Sequence, residues 1–451
     1  MSLRDRIQNQ ETLLQVVDIG VKARLNASPE YYQLKTKLHN QLLGRIDLEV
    51  LGSMTPEHLK AELGVLVERL LGESGAALNA TEHRKMIQDI QNEVMGLGPL
   101  EPLLADPTIS DILVNGPQKV YVERHGRIEL TDITFSDVGH LMKIIDKIVS
   151  RIGRRIDESS PMVDARLPDG SRVNAIIPPL SLDGPLLSIR RFAAVPLRAE
   201  DLIANKSLTP ELSQLLAGMV RAKINILISG GTGTGKTTLL NVLSSAIPAN
   251  ERIVTIEDAA ELQLQQPHVV RLETRPSNIE GKGEVNQRAL VRNSLRMRPD
   301  RIILGEVRGV EVVDMLQAMN TGHEGSMTTV HANTPRDALT RLENMAGMGG
   351  MTIPPKAMRQ QICSAISAII QIARLTDGRR KVVSVQEVVG MEGDIITMQE
   401  IFAFTQTGLA QDGTVLGYFH ATGVRPQFMG RLKSYGINLA DKTFDQNHTY
   451  E

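Results

Sequence analysis

The stretch Ile224-Asn225-Ile226-Leu227-Ile228-Ser229-Gly230-Gly231-Thr232-Gly233-Thr234-Gly235-Lys236-Thr237-Thr238 decides the fold. An apolar strand runs into a glycine-rich turn, and a helix opens behind it through Leu239, Leu240 and Leu243. Gly230, four residues, then Gly235-Lys236-Thr237 is the spacing of a phosphate cradle. Glycines let successive amides turn inward where side chains would collide with a ligand. Lys236 brings a positive charge to the terminal phosphates, the Thr237 hydroxyl is placed for magnesium, and the helix N-terminus adds partial positive charge. The pattern predicts ATP or GTP with Mg2+. An ordinary glycine loop is the competing reading, and the strand before it and helix after it weigh against it.

Outward from this stretch, 451 residues suffice for about three domains, and 41% apolar residues can fill their cores. No run approaches the roughly 18 apolar residues of a membrane span. The N-terminus, Met1-Ser2-Leu3-Arg4-Asp5, lacks the apolar core of a signal peptide, so a cytosolic protein is expected. The single cysteine, Cys363, sits in an apolar helical stretch and reads as core packing. Fifty basic and 52 acidic residues leave a net charge of −2, which argues against a general nucleic-acid binder. The basic clusters Arg154-Arg155, Arg190-Arg191 and Arg379-Arg380-Lys381 read singly as solvated faces.

Residues 28–95 carry leucines at helical spacing (Leu34, Leu38, Leu42; Leu59, Leu63, Leu66, Leu70) and predict a small helical bundle, with Pro56 just inside a helix start after Thr55. Residues 1–27 are expected to be disordered or an interaction arm. A mixed α/β unit follows. It has strands at 109–114, 120–123, 127–130, 162–166, 172–177 and 188–192, and a helix capped by Ser136 and stopped by Gly153. The expected domains are 1–78 (helical), 79–195 (α/β), a linker at 196–208, and 209–451 around the cradle. In the last, strands alternate with helices, which predicts a parallel sheet covered on both faces.

Ligands of such sheets sit beyond the strand ends, so acids there matter. Ile253-Val254-Thr255-Ile256-Glu257-Asp258 and Ile302-Ile303-Leu304-Gly305-Glu306 each end an apolar run in carboxylates. One could deprotonate an attacking water and another hold magnesium. His331 ends the run Met327-Thr328-Thr329-Val330 and reads as a γ-phosphate sensor or a loop holder rather than a metal ligand.

Gly230 to Thr238, Thr255 to Asp258, Arg298 to Gly309 and Thr329 to Asn333 resemble the Walker A, Asp, Walker B and His boxes of the type II/IV secretion ATPase superfamily. The stretches Asn278 to Val285 and Met315 to His323 resemble its Flp/Tad pilus branch, the CpaF assembly ATPases. The resemblance covers roughly residues 80–400. It implies a RecA-like P-loop NTPase core behind a PAS-like α+β domain, with ATP between them, in a hexameric ring that hydrolyses ATP to power pilus assembly or retraction through an inner-membrane platform. A conjugation or effector-secretion ATPase, or a nonhydrolytic nucleotide-gated adaptor, is the alternative.

By motif position, Gly230, Gly231, Thr232, Gly233, Thr234, Gly235, Lys236, Thr237 and Thr238 would bind nucleotide, and Thr237 and Glu306 would hold Mg2+, in the second case directly or through water. Glu257 would be the general base, with Glu306 and His331 beside it. Arg166, Arg172, Arg190, Arg191, Arg296 and Arg308 are candidates to balance phosphate charge. The resemblance further implies a cytoplasmic protein peripheral to a bacterial inner membrane. Another cytosolic assembly factor is expected on the N-terminal bundle.

Overall fold

The computed structural model describes residues 29–45, 55–76, 78–124, 126–192, 196–277, 282–348, 353–447 and 449–450, in two compact units, 1–194 and 195–451. Residues 1–27, expected as an arm, and the span 278–281 lie outside the described residues.

In the first unit, helices Pro29–Arg45, Pro56–Ser74 and Ala80–Met95 pack Leu38, Leu42, Leu63, Val67, Met86 and Ile90 into one core. The third helix starts at Ala80, because Asn79 and Glu82 form a reciprocal capping box. Behind the bundle, β1 (Ile109–Asn115), β2 (Val120–Arg124), β3 (Arg127–Leu130), β4 (Met162–Arg166), β5 (Arg172–Ile176) and β6 (Leu186–Arg190) form a sheet in the order β3-β2-β1-β6-β5-β4. Helix Val138–Ser150 covers it with Leu141, Ile144, Ile145 and Ile148. Its cap is Asp137, whose Oδ1 accepts from His140 N at 2.7 Å, while Ser136 instead bonds the His140 ring.

Glu93 joins the bundle to this α/β layer. Lys35 Nζ donates to it at 2.7 Å, and His140 Nε2 lies 3.0 Å away. Burial alone would raise the Glu93 carboxyl, but His140 and Lys35 outweigh it and hold it down at about 2.

The second unit carries β7 (Ile226–Gly230), β8 (Ile253–Glu257), β9 (Val269–Glu273), β10 (Arg301–Leu304), β11 (Met327–His331), β12 (Ala368–Arg374), β13 (Arg380–Glu392), β14 (Ile395–Leu409), β15 (Val415–Ala421) and β16 (Thr449–Tyr450). Their order is β16-β15-β14-β13-β12-β7-β11-β10-β8-β9. From β12 to β9 every neighbour is parallel, and from β12 outward to β16 every neighbour is antiparallel. Ile226 and Ile228 of β7 enter the core on one face and Leu227 the core on the other, so the strand is buried on both faces. The glycine-rich turn lies between a central parallel strand and a helix, the arrangement expected of the RecA-like α/β core that the resemblance implies. β14 runs unbroken from Ile395 to Leu409, and β15 and β16 extend the antiparallel part of the sheet beyond it.

The stretch expected as a linker, 196–208, contains helix Ala199–Ala204, and its Leu202 and Leu208 are buried in the core of the second unit. Among the described residues, no helix is long and apolar enough to cross a membrane.

Candidate active site

The parallel register brings the candidate residues to one edge. His331 at the end of β11 pairs with Gly230 at the end of β7, Leu304 of β10 pairs with Ile256 of β8, and Leu304 also pairs with Thr328 of β11. Glu257 and Glu306 therefore emerge on neighbouring strands beside the phosphate loop.

The loop is built as its glycines require. A Cβ on Gly230 would meet the Ile372 carbonyl at 2.5 Å, because β12 runs against it, and Gly233 and Gly235 have φ of +69° and +97°. Thr234 is buried and its Oγ1 donates to Gly231 O at 2.9 Å. Lys236 opens helix Lys236–Ser244, with Thr237 and Thr238 in the same first turn, whereas Thr232 is exposed. The Lys236 Nζ donates to Gly231 O at 2.8 Å and lies 3.3 Å from His331 Nδ1.

From His331 a chain of charge continues. Its Nε2 is 2.6 Å from Glu306 Oε1, a close contact that is an ion pair only when the ring is protonated. Arg308 donates to Glu306 Oε2 through Nη2 at 2.7 Å and Nε at 3.0 Å, and its Nη1 is 3.4 Å from Asp258 Oδ2. Burial and the nearby Lys236 hold the His331 ring below its ordinary value, with Glu306 opposing them. The Glu306 carboxylate raises Arg308 further. The loop after His331 is pinned by Gln371 of β12, whose Nε2 donates to Ala332 O and Asn333 O at 3.2 and 3.0 Å.

Glu257 is different. It is 3% exposed, and its Oε1 accepts from the Glu261 and Leu262 amides at 2.8 and 2.9 Å. Its Oε2 has no hydrogen-bond partner among the described residues. Burial pushes the carboxyl up to about 7 despite the two amides. A Cβ on Gly305 would sit 2.9 Å from Glu257 Cγ, so glycine before Glu306 is what lets the two acids approach.

The arginines divide. Arg308 joins the network above. Arg296 is exposed beyond helix Gln287–Ser294, and its side chain makes no hydrogen bond or ion pair among the described residues. In the first unit, Arg166, Arg172 and Arg190 are successive cross-strand partners, so they share one face of β4, β5 and β6. Arg191 points elsewhere and donates to the carbonyls of Asp106 and Ile109. Of the run Arg379-Arg380-Lys381, expected as a solvated face, Arg380 is exposed while Lys381 is buried. Arg380 Nε donates to Gly233 O of the phosphate loop at 2.9 Å.

Magnesium takes hard oxygen donors, and the Thr237 hydroxyl and the Glu306 carboxylate are of that kind. Glu306 Oε2 already accepts from Arg308 and Oε1 lies against the His331 ring, which favours contact through water over direct ligation.

Residues 93–410 match the family described as "Type II/IV secretion system protein". A putative conjugal transfer protein of Mycobacterium tuberculosis is 39% identical over 324 residues, covering 70% of this chain and 92% of that protein. The type IV secretion system protein VirB11 of Bartonella quintana is 31% identical over 351 residues, covering 68% and 96%. The solved VirB11 ATPase of the Brucella suis type IV secretion system shares 30% identity over 64% of this chain and 93% of that one, with a TM-score of 0.35. With the family match spanning more than half its length, this chain belongs to the type II/IV secretion system protein family.

Proposed function

We propose that this chain is an ATP hydrolase whose turnover drives a type IV conjugation or secretion apparatus, working as a hexameric ring at the cytoplasmic face of an inner membrane. The observation that carries it is the convergence of Lys236, Glu257, Glu306 and His331 on one sheet edge, with Glu257 Oε2 buried and unpartnered among the described residues. A carboxyl near pH 7 is poised to take a proton from water. Glu257 accepts that proton at Oε2 while the Glu261 and Leu262 amides hold Oε1 and fix the direction of attack. Lys236 places its charge on the terminal phosphates, and His331 relays the state of that lysine to Glu306. When bound, Mg2+ would neutralise phosphate charge, with Thr237 and Glu306 as its holders. The row Arg166, Arg172 and Arg190 forms a cationic face on the sheet of the first unit that suits an anion.

The choice of apparatus follows the conjugal-transfer and secretion names of the relatives. A Flp/Tad pilus motor is the second reading. It rests on Asn278 to Val285 and Met315 to His323, the latter lying largely in helix Glu311–Asn320.

Lys236→Ala is expected to abolish ATP hydrolysis, and wild-type turnover in that variant would overturn the site assignment. Capture from solubilised membranes with ATP-loaded Glu257→Gln separates the two apparatuses: a secretion channel or coupling protein supports the first, and a platform protein with a pilin supports the second.

A further inference from the structure

Each member of Arg379-Arg380-Lys381, at the mouth of β13, is committed to a different stretch of backbone. Arg379 donates to Asp377 Oδ2 at 2.7 Å and to Val415 O at 2.6 Å, which fixes the β12–β13 turn. Lys381 donates to Lys206 O at 2.7 Å, and its Nζ lies over the rings of Phe404 and Phe419. Arg380 stands between these two anchors and reaches the phosphate loop 147 residues away in sequence.

A trans peptide points its C=O and N–H in opposite directions. With the Gly233 carbonyl turned out to Arg380, the amide of Thr234 faces the other way. Gly233, at φ +69° and with nothing within 4 Å of a would-be Cβ, has no steric preference of its own that would hold this peptide. A guanidinium on the carbonyl also polarises the bond and strengthens the amide as a donor.

We propose that Arg380 is a positioning residue for the phosphate loop, holding the Gly233–Thr234 peptide in the orientation that presents an amide to a nucleoside di- or triphosphate. The inference rests on the reading of the cradle as a nucleotide site. It goes beyond the sequence boxes, because Arg380 lies outside all four.

The test compares wild type, Arg380→Ala, Arg380→Lys and Lys236→Ala as full-length proteins. Calorimetry gives the Kd for ADP, steady-state kinetics give KM and kcat for ATP, and hydrogen exchange follows peptides spanning 231–236 without nucleotide. In Arg380→Ala, Kd and KM are expected to rise about tenfold, the loss of one charge-assisted bond, with kcat at saturation kept within about twofold. Exchange in 231–236 accelerates while the melting temperature stays within about 2 °C. Arg380→Lys keeps the charge without the fork and recovers only part of the affinity. Unchanged ADP affinity in Arg380→Ala overturns the inference, as does an affinity loss accompanied by an equal loss of kcat and of thermal stability. If wild type itself binds ADP no better than Lys236→Ala, the nucleotide reading fails and takes this inference with it. Slow exchange in 231–236 of Arg380→Ala removes the positional argument independently of any nucleotide.

Discussion

The ends of β8 and β10 carry the same sequence signal, an acid closing an apolar parallel strand, and the fold gives them opposite surroundings. Glu257 is dry, held at one oxygen by two amides, and pushed up to about 7. Glu306, on the neighbouring strand, lies between His331 and Arg308, and its side chain is 17% exposed. Two carboxyls in such different surroundings can divide acid-base work from charge balance. In the proposed function this difference gives the proton to Glu257 and the Arg308 charge to Glu306.

Removing each carboxylate charge is the strongest way to break this division. Glu257→Gln keeps the acceptor for the two amides and loses the base, so kcat is expected to fall by about 10²–10⁴ with ADP affinity retained. Parallel turnover and binding measurements check it. A drop of less than threefold would move the base elsewhere. Glu306→Gln should cost less, about 10–100-fold in kcat, and should raise the Mg2+ concentration needed for half-maximal rate, as a magnesium titration would read. Equal losses in the two variants, with no change in Mg2+ requirement, would erase the distinction.

The raised Glu257 carboxyl also makes stability depend on pH. Between its ordinary value of 4.5 and about 7, the folded chain keeps a proton that the unfolded chain has released. Folding is therefore favoured at the acid end, and stability falls as pH rises through that window, by at most about 3 kcal/mol. Denaturant melts at pH 5 and pH 8 should show Glu257→Gln more stable than wild type at pH 8 and similar to it at pH 5. The kcat of wild type should rise over the same window as the base ionises.

Much of this site is legible in the sequence because strand ends in a parallel sheet share an edge. Glu257, Glu306, His331 and Lys236 each close or follow an apolar run, and the register makes them neighbours. Their environments are not legible. The dryness of Glu257 depends on the chain returning two amides from Glu261 and Leu262, and on Gly305 leaving room for its side chain. Arg380 escapes notice because its role depends on β12 pairing with β7, a contact that no local pattern encodes. In the first unit, Ser136 and Asp137 are both good caps, and only the backbone decides for Asp137. Helix Ala199–Ala204 hides in a stretch whose Pro196 and short apolar run suggest only a linker. The pilus branch is a finer reading than box spacing supports, and the conjugal-transfer and secretion relatives favour the alternative.

The smallest effect tests the polar half of the comparison. Arg308 is the outermost cation of the Glu306 network, with its side chain 55% exposed, and it bonds both Glu306 and Asp258. An exposed ion pair of this kind is screened by water, so Arg308→Gln should change unfolding free energy by less than about 1 kcal/mol. That small change should itself shrink as salt rises, because the Debye length shortens to about 3 Å at 1 M. If Arg308 only braces Glu306, the variant raises the Mg2+ requirement modestly and leaves the Glu257 pH limb in place. A shift of that limb would mean that the charge of Arg308 reaches the dry carboxyl across Gly305, and that the two strand ends titrate as one unit.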